Sequence, residues 1–193
     1  MLNRRVFLKQ MSMLLGGALS APALLALENS HQLTGLVNDK TLFNDDIPLF
    51  TRIANTIIPA TDTPGAADAK VGNFVHDMVN QVFNQQQQLD FANHLQLFRQ
   101  RTKIQMGQDF MNLSAAQQQQ WLTELNQDMV HRRWGQPVEQ DNGLDFFQTM
   151  KEFTIIGFFT SEIGATKVLK YDPIPGSYKG SVPYKEIGRA WAE

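Results

Sequence analysis

The sequence predicts an all-α fold, an irregular bundle of about five helices that ends in an extended arm rich in Pro, Gly and Tyr. Three observations lead there. Apolar residues recur at helical spacing through most of residues 46–170. No stretch alternates with the period of two that a half-buried strand requires. Turn-forming residues gather between the periodic runs and again after residue 170. With 193 residues the chain can bury one core of ordinary size. The expected organisation is an export signal at 1–27, a linker at 28–45, a helical domain at 46–170 and the arm at 171–193.

Each element has a local reason. The first helix is expected from about Asp46 to Ile58, with Leu49, Phe50, Ile53, Ala54, Ile57 and Ile58 on one stripe. Asp45 or Asp46 serves as its cap, Pro48 suits a first turn and Pro59 stops it. Residues 59–66 then form a loop by composition. Val71, Phe74, Val75, Met78, Val79, Val82 and Phe83 mark a second helix. Gln85 to Gln88 reads as a solvated turn or helix end. Phe91, Leu95 and Phe98 mark a third helix towards Ile104 or Met106. Ser114-Ala115-Ala116-Gln117 is a capping box that opens a fourth, with Trp121, Leu122, Leu125 and Met129 inward and Gln117 to Gln120 a second solvated tract. Residues 135–143 are turn-rich. Phe146, Phe147, Met150, Phe153, Thr154 and Gly157 then line an aromatic-rich helix expected to be the central one.

The arm holds all 3 tyrosines, Tyr171, Tyr178 and Tyr184, with Trp191 beyond. An extended segment buries little of itself, so these rings need a surface, either on this bundle or on another chain.

The N-terminus carries a different signal. Arg4-Arg5 precede Phe7-Leu8 and Lys9, and an apolar run extends from Met11 to Leu27. A basic region, an apolar region and a small-residue exit occur in order, as in an export signal. The stretch resembles the twin-arginine consensus, with Asn3 where Ser or Thr is usual. Pro22 breaks the run before a lipid-spanning length is reached, and Ala21-Pro22-Ala23 matches an A-x-A cleavage pattern. The expectation is a periplasmic protein, exported folded by the twin-arginine translocase, soluble or peripheral to the inner membrane.

Composition removes whole classes of function. The formal charge is −2, and roughly −5 once Arg4, Arg5 and Lys9 are set aside. That balance argues against nucleic acid. Zero cysteines exclude disulfides, cysteine-ligated iron–sulfur clusters, CxxCH haem attachment and cysteine nucleophiles. The histidines His31, His76, His94 and His131 show neither the i, i+4 metal pair nor HExxH, and His76 reads as a solvated surface residue. Thr160-Ser161-Glu162-Ile163-Gly164 lacks the glycine that a nucleophile elbow needs before its serine. GxGxxG and GxxxxGK[ST] are both absent, so no loop here cradles a pyrophosphate. No catalytic, cofactor-binding or metal-binding residue is assigned.

Two segments carry a resemblance. Ile57-Ile58-Pro59-Ala60-Thr61-Asp62-Thr63-Pro64-Gly65-Ala66 and Phe153-Thr154-Ile155-Ile156-Gly157-Phe158-Phe159-Thr160-Ser161-Glu162-Ile163-Gly164, leading to Tyr171 and Pro175 to Gly180, resemble the gluconate 2-dehydrogenase subunit 3 family. The likeness runs from about Ile47 to Trp191. It implies a non-catalytic small subunit that escorts and steadies a large chain. That large chain is a glucose–methanol–choline-type flavoprotein dehydrogenase, which holds FAD and oxidises a sugar or alcohol. A cytochrome c subunit commonly takes the electrons in such complexes. The residues matching the motifs are then structural or interfacial: Pro59, Thr61, Asp62, Pro64, Thr160, Ser161 and Glu162, joined by Tyr171, Tyr178, Tyr184 and Trp191 of the arm. The alternative is a free-standing periplasmic helical binding or structural protein with no dehydrogenase partner.

Overall fold

The structure, a computed structural model, describes residues 43–133, 143–174, 176 and 181–192. The export signal expected at Arg4, Arg5, Phe7 and Leu8 lies outside the described residues, as does Tyr178. Among the described residues the fold is all-α, an irregular bundle with no strand beyond one isolated bridge.

A 3-10 turn, Asn44–Asp46, leads into α1 (Ile47–Ile57), which buries Leu49, Phe50, Ile53 and Ala54. Phe43, within the span expected to be linker, is instead part of the core and meets Phe91 edge-on at 5.3 Å. The aspartate cap is a correction, because neither acid makes a side-chain cap bond. Asp46 is already in right-handed helical conformation (φ −93°, ψ −11°), whereas a capping carboxylate needs extended backbone beneath it. Its side chain turns instead to Arg99 of the third helix, which donates to it.

α2 (Val71–Gln81) buries Val71, Val75 and Val79, spaced one turn apart so that they form a single ridge. Each side chain so buried stabilises the fold by about 1.5–3 kcal/mol. Gly72 lets α1 approach closely, since a Cβ there would lie 2.8 Å from the Thr51 backbone nitrogen. Two expectations for this helix fail. Val82 is 63 % exposed, because the helix ends at Gln81 and the chain turns Phe83 inward in its place. His76 is mostly covered, its ring only 13 % exposed, with Nδ1 3.1 Å from the Asp77 carboxylate.

The 85–88 glutamine tract is the start of α3 (Gln85–Met106). Asn84 and Gln87 form a reciprocal capping box. Gln88 Nε2 reaches back to the carbonyls of Val79, Asn80 and Phe83 at 3.1, 3.3 and 3.2 Å, satisfying acceptors left open where α2 ends. α3 buries Phe91, Leu95, Phe98 and Thr102 and stops at Gly107, whose φ of 77° a glycine adopts without strain.

After the 3-10 turn Phe110–Asn112, the Ser114–Gln117 capping box opens α4 (Ala115–Arg133). Trp121, Leu122 and Leu125 point inward. Gln118, read as solvated, is buried: its amide donates to the Phe110 carbonyl at 2.9 Å, because the preceding turn folds over it. The Trp121 indole donates to Thr102 Oγ1 at 2.9 Å, and that hydroxyl donates to the Phe98 carbonyl at 2.7 Å. This joins α3 to α4 through polar groups that water does not reach.

α5 (Leu144–Phe159) is the hub, packing against α1, α2, α3 and α4. The Phe146 ring lies 6.2 Å from Phe50, 5.3 Å from Phe91 and 5.0 Å from Phe98. A π-helical turn, Gly164–Val168, follows. A short helix, α6 (Tyr184–Ile187), interrupts the arm, and the chain then returns to pair with Lys170.

Candidate interaction surface

The outer face of α5 changes character along its length. Gln148 and Glu152 occupy it near the start, where they hydrogen-bond to each other at 3.0 Å. One and two turns further on, the same face carries Ile155, Ile156 and Phe159, which are 45 %, 48 % and 39 % exposed. The inward face meanwhile buries Phe146, Phe147, Met150, Thr154 and Phe158. A helix apolar all round is ordinarily covered all round. This one is covered on one side only, so its last turns offer the solvent an apolar surface. The sequence reading missed these three residues, although a signal was present. They are apolar, and they lie off the inward stripe on the register of Gln148 and Glu152.

The segment after α5 continues this surface. Thr160 and Glu162 are exposed, whereas Ser161 is tied inward. The Ser161 hydroxyl donates to the Phe158 carbonyl at 2.6 Å and accepts from the Gly164 amide at 3.0 Å. Gly164 is buried against the end of α5, where a Cβ would fall 1.9 Å from the Phe158 carbonyl oxygen. Ser161 and Gly164 therefore shape the turn that folds back on α5, and Thr160 and Glu162 face outward from it.

In the 59–66 loop, Pro59, Thr61 and Asp62 are exposed, Pro64 is half-buried and Ala66 is in the core. The Ala66 amide donates to the Ile58 carbonyl at 2.9 Å. Gly65 sits where a Cβ would meet the Ala60 nitrogen at 2.5 Å, so the loop closes only around a glycine. The carboxylate that accepts a backbone hydrogen here is Asp68, from the Gly65 amide at 2.8 Å. Asp62 accepts from the Thr61 hydroxyl at 2.9 Å. In the arm, Tyr171, Tyr184 and Trp191 are 56 %, 68 % and 43 % exposed.

Two open grooves also mark the described surface. One, of about 540 Å³, runs between α1, α3 and the Phe110 turn, and its cations are paired: Arg99 with Asp46, and Lys103 with Asp109 at 3.3 Å. Burial pushes the Asp46 carboxyl above its ordinary range, and Arg99 opposes that without overcoming it. The other, of about 310 Å³, lies between α1, α4 and α5, with the Lys151 ammonium donating to Asn126 at 2.5 Å. Among the described residues no group of His, Cys, Asp or Glu is arranged to hold a metal ion, and no helix is long and apolar enough to cross a membrane.

These features define a small all-α protein with an apolar helix end and, later in the chain, the exposed aromatic residues Tyr171, Tyr184 and Trp191, the kinds of surface by which one chain meets another. Comparison with known families gives the particular case: the family model described as gluconate 2-dehydrogenase subunit 3 matches residues 44–176, and the chain belongs to that family. The match spans the bundle from its first 3-10 turn into the arm, and takes in both motif blocks. By its description the family is one of dehydrogenase subunits. No curated protein and no solved structure matches the chain.

Proposed function

We propose that this chain is the non-catalytic small subunit of a periplasmic FAD-dependent sugar or alcohol dehydrogenase complex. It escorts and stabilises a large catalytic subunit of the glucose–methanol–choline type, which holds the FAD. A cytochrome c subunit is the expected electron acceptor. The paired arginines Arg4 and Arg5 direct the folded assembly to the twin-arginine translocase, so that one leader serves two proteins.

The observation that carries this reading is the family match over residues 44–176. The apolar outer turns of α5 support it, because Ile155, Ile156 and Phe159 gain from being covered by another chain at about 25 cal/mol per Å² of apolar surface removed from water. The exposed motif residues Thr160 and Glu162 border that patch in sequence, and Tyr171, Tyr184 and Trp191 add aromatic anchors in the arm.

The test is export of the large subunit. With Arg4→Lys and Arg5→Lys together, the large subunit accumulates in the cytoplasm. If it still reaches the periplasm with its flavin, the escort role is wrong. In parallel, Ile156→Ser with Phe159→Ser reduces the amount of large subunit that co-purifies with this chain, while export of the chain itself is unaffected.

A further inference from the structure

We infer that the groove between α1, α4 and α5 receives an acidic side chain, Asp or Glu, of the partner chain, with Lys151 as its cation. This rests on the reading that α5 meets a large subunit, and it adds the chemistry of one contact which that subunit makes. Buried Leu122 and Phe147, with partly buried Ile57, form the apolar floor of the groove. Thr56, Gln119, Thr123, Asn126 and Lys151 form its walls, and no carboxylate is among these lining residues. On a chain of formal charge −2, this is a locally positive recess.

Among the described residues, the half-buried lysines and arginines are Arg99, Arg101, Lys151 and Lys170. Arg99 pairs with Asp46 and Arg101 with Asp128, while Lys170 lies over the Trp191 ring. Lys151 has a neutral partner instead, the side-chain oxygen of Asn126. A partly covered ammonium gains more from a full negative charge than from an amide oxygen. The acid next to it in sequence, Glu152, is exposed and accepts from Gln148.

The other polar groups of the groove fit the same ligand. The Thr56 and Thr123 hydroxyls donate to the Arg52 and Gln119 carbonyls, each at 2.8 Å, so their protons are committed. Asn126 receives Lys151 on its oxygen, which leaves its amide nitrogen to donate, as does that of Gln119. One ammonium and two amides therefore address an incoming anion. A carboxylate matches this single positive charge, whereas a phosphate carries nearly twice as much. With about 310 Å³ of open space, the groove offers a free acid few contacts against the full cost of association. A side chain on a chain already seated on α5 meets little of that cost. Lys151 lies one helical turn before Ile155, so the groove and the apolar turns form one continuous strip of α5.

Carbodiimide coupling of the purified complex, read by mass spectrometry, tests this, because it joins an amine to a carboxylate without a spacer. Lys151 becomes linked to an Asp or Glu of the large subunit. Lys151→Met and Asn126→Asp each weaken the hold on that subunit by about 5- to 30-fold, between the effects of an exposed and a desolvated ion pair. Asn126→Asp gives Lys151 a carboxylate within its own chain, so the urea midpoint of the chain alone does not fall while binding does. Lys151 linked only to acids of its own chain would overturn the inference. So would unchanged binding in both variants while Ile156→Ser with Phe159→Ser still releases the large subunit, a result that leaves the α5 surface standing. A large subunit held equally by all these variants would overturn the docking on α5, and the acidic contact with it.

Discussion

Replacing Phe146 with alanine, set against Ile156 with serine, separates the two faces of α5. Phe146 is fully buried, and its ring contacts three others at 5.0–6.2 Å, from α1 and α3. Truncating a buried Phe costs about 3–5 kcal/mol, transfer and cavity terms together. The tilted ring pairs place this site towards the upper end of that range, since each such pair adds about 0.5–1.5 kcal/mol beyond area. The bundle is too interlocked here to collapse around the hole, because Gly143, one turn before Phe146, already brings the backbone against Phe98. Against a total of about 5–15 kcal/mol, the loss leaves a protein that folds marginally. With a urea m-value of about 2 kcal/mol per M, the midpoint falls by about 2 M. Ile156 is 48 % exposed, and its replacement by serine shifts stability by about 0.5 kcal/mol or less. Urea titrations followed by far-UV circular dichroism measure both. A loss below about 1 kcal/mol for Phe146→Ala, or equal losses for the two variants, would refute the assignment of inner and outer faces.

Two further outcomes follow from buried polar groups. Thr102→Val keeps the shape but leaves the Trp121 indole N–H without its acceptor, so stability falls by about 1–3 kcal/mol; Thr102→Ser, which keeps the hydroxyl, costs less, and urea midpoints distinguish them. Asp46 contributes a pH dependence. Its folded pKa is raised, so its contribution to stability is fully present below the unfolded value of 3.8 and is lost as pH rises through the folded value. Asp46→Asn removes that loss. Melting temperatures measured from pH 3 to 7 therefore show the variant gaining on wild type as pH rises across this window, and a variant that instead loses ground would show the Arg99 pairing to outweigh the burial.

The helices were legible because the signals for them are local. The Ser114–Gln117 box closes within one turn of chain, and the stripe of Phe91, Leu95 and Phe98 needs no knowledge of what it packs against. The misreadings share a different cause. Gln118 and His76 are polar and were placed in solvent, yet a neighbouring turn covers the first and packing covers most of the second. Asp46 had the composition of a cap but not the backbone of one, and a cation from a distant helix took its carboxylate. Val82 fitted the apolar period and was left outside when the helix stopped one residue short of it.

The sequence by itself determined the all-α class, the inward stripes, the capping box before α4, and the two motif blocks that mark the family. Each is written in residue type and spacing over a few turns, and spacing survives without tertiary contacts. Only the tertiary structure decided which apolar residues stay uncovered. Ile155, Ile156 and Phe159 have the same chemistry as their buried neighbours Phe158 and Met150. What separates them is where α1, α2, α3 and α4 lie around α5, and that arrangement arises from many side chains packing at once. The fastening of the arm at Lys170 is of the same kind, since it joins residues far apart in the chain that no local pattern connects.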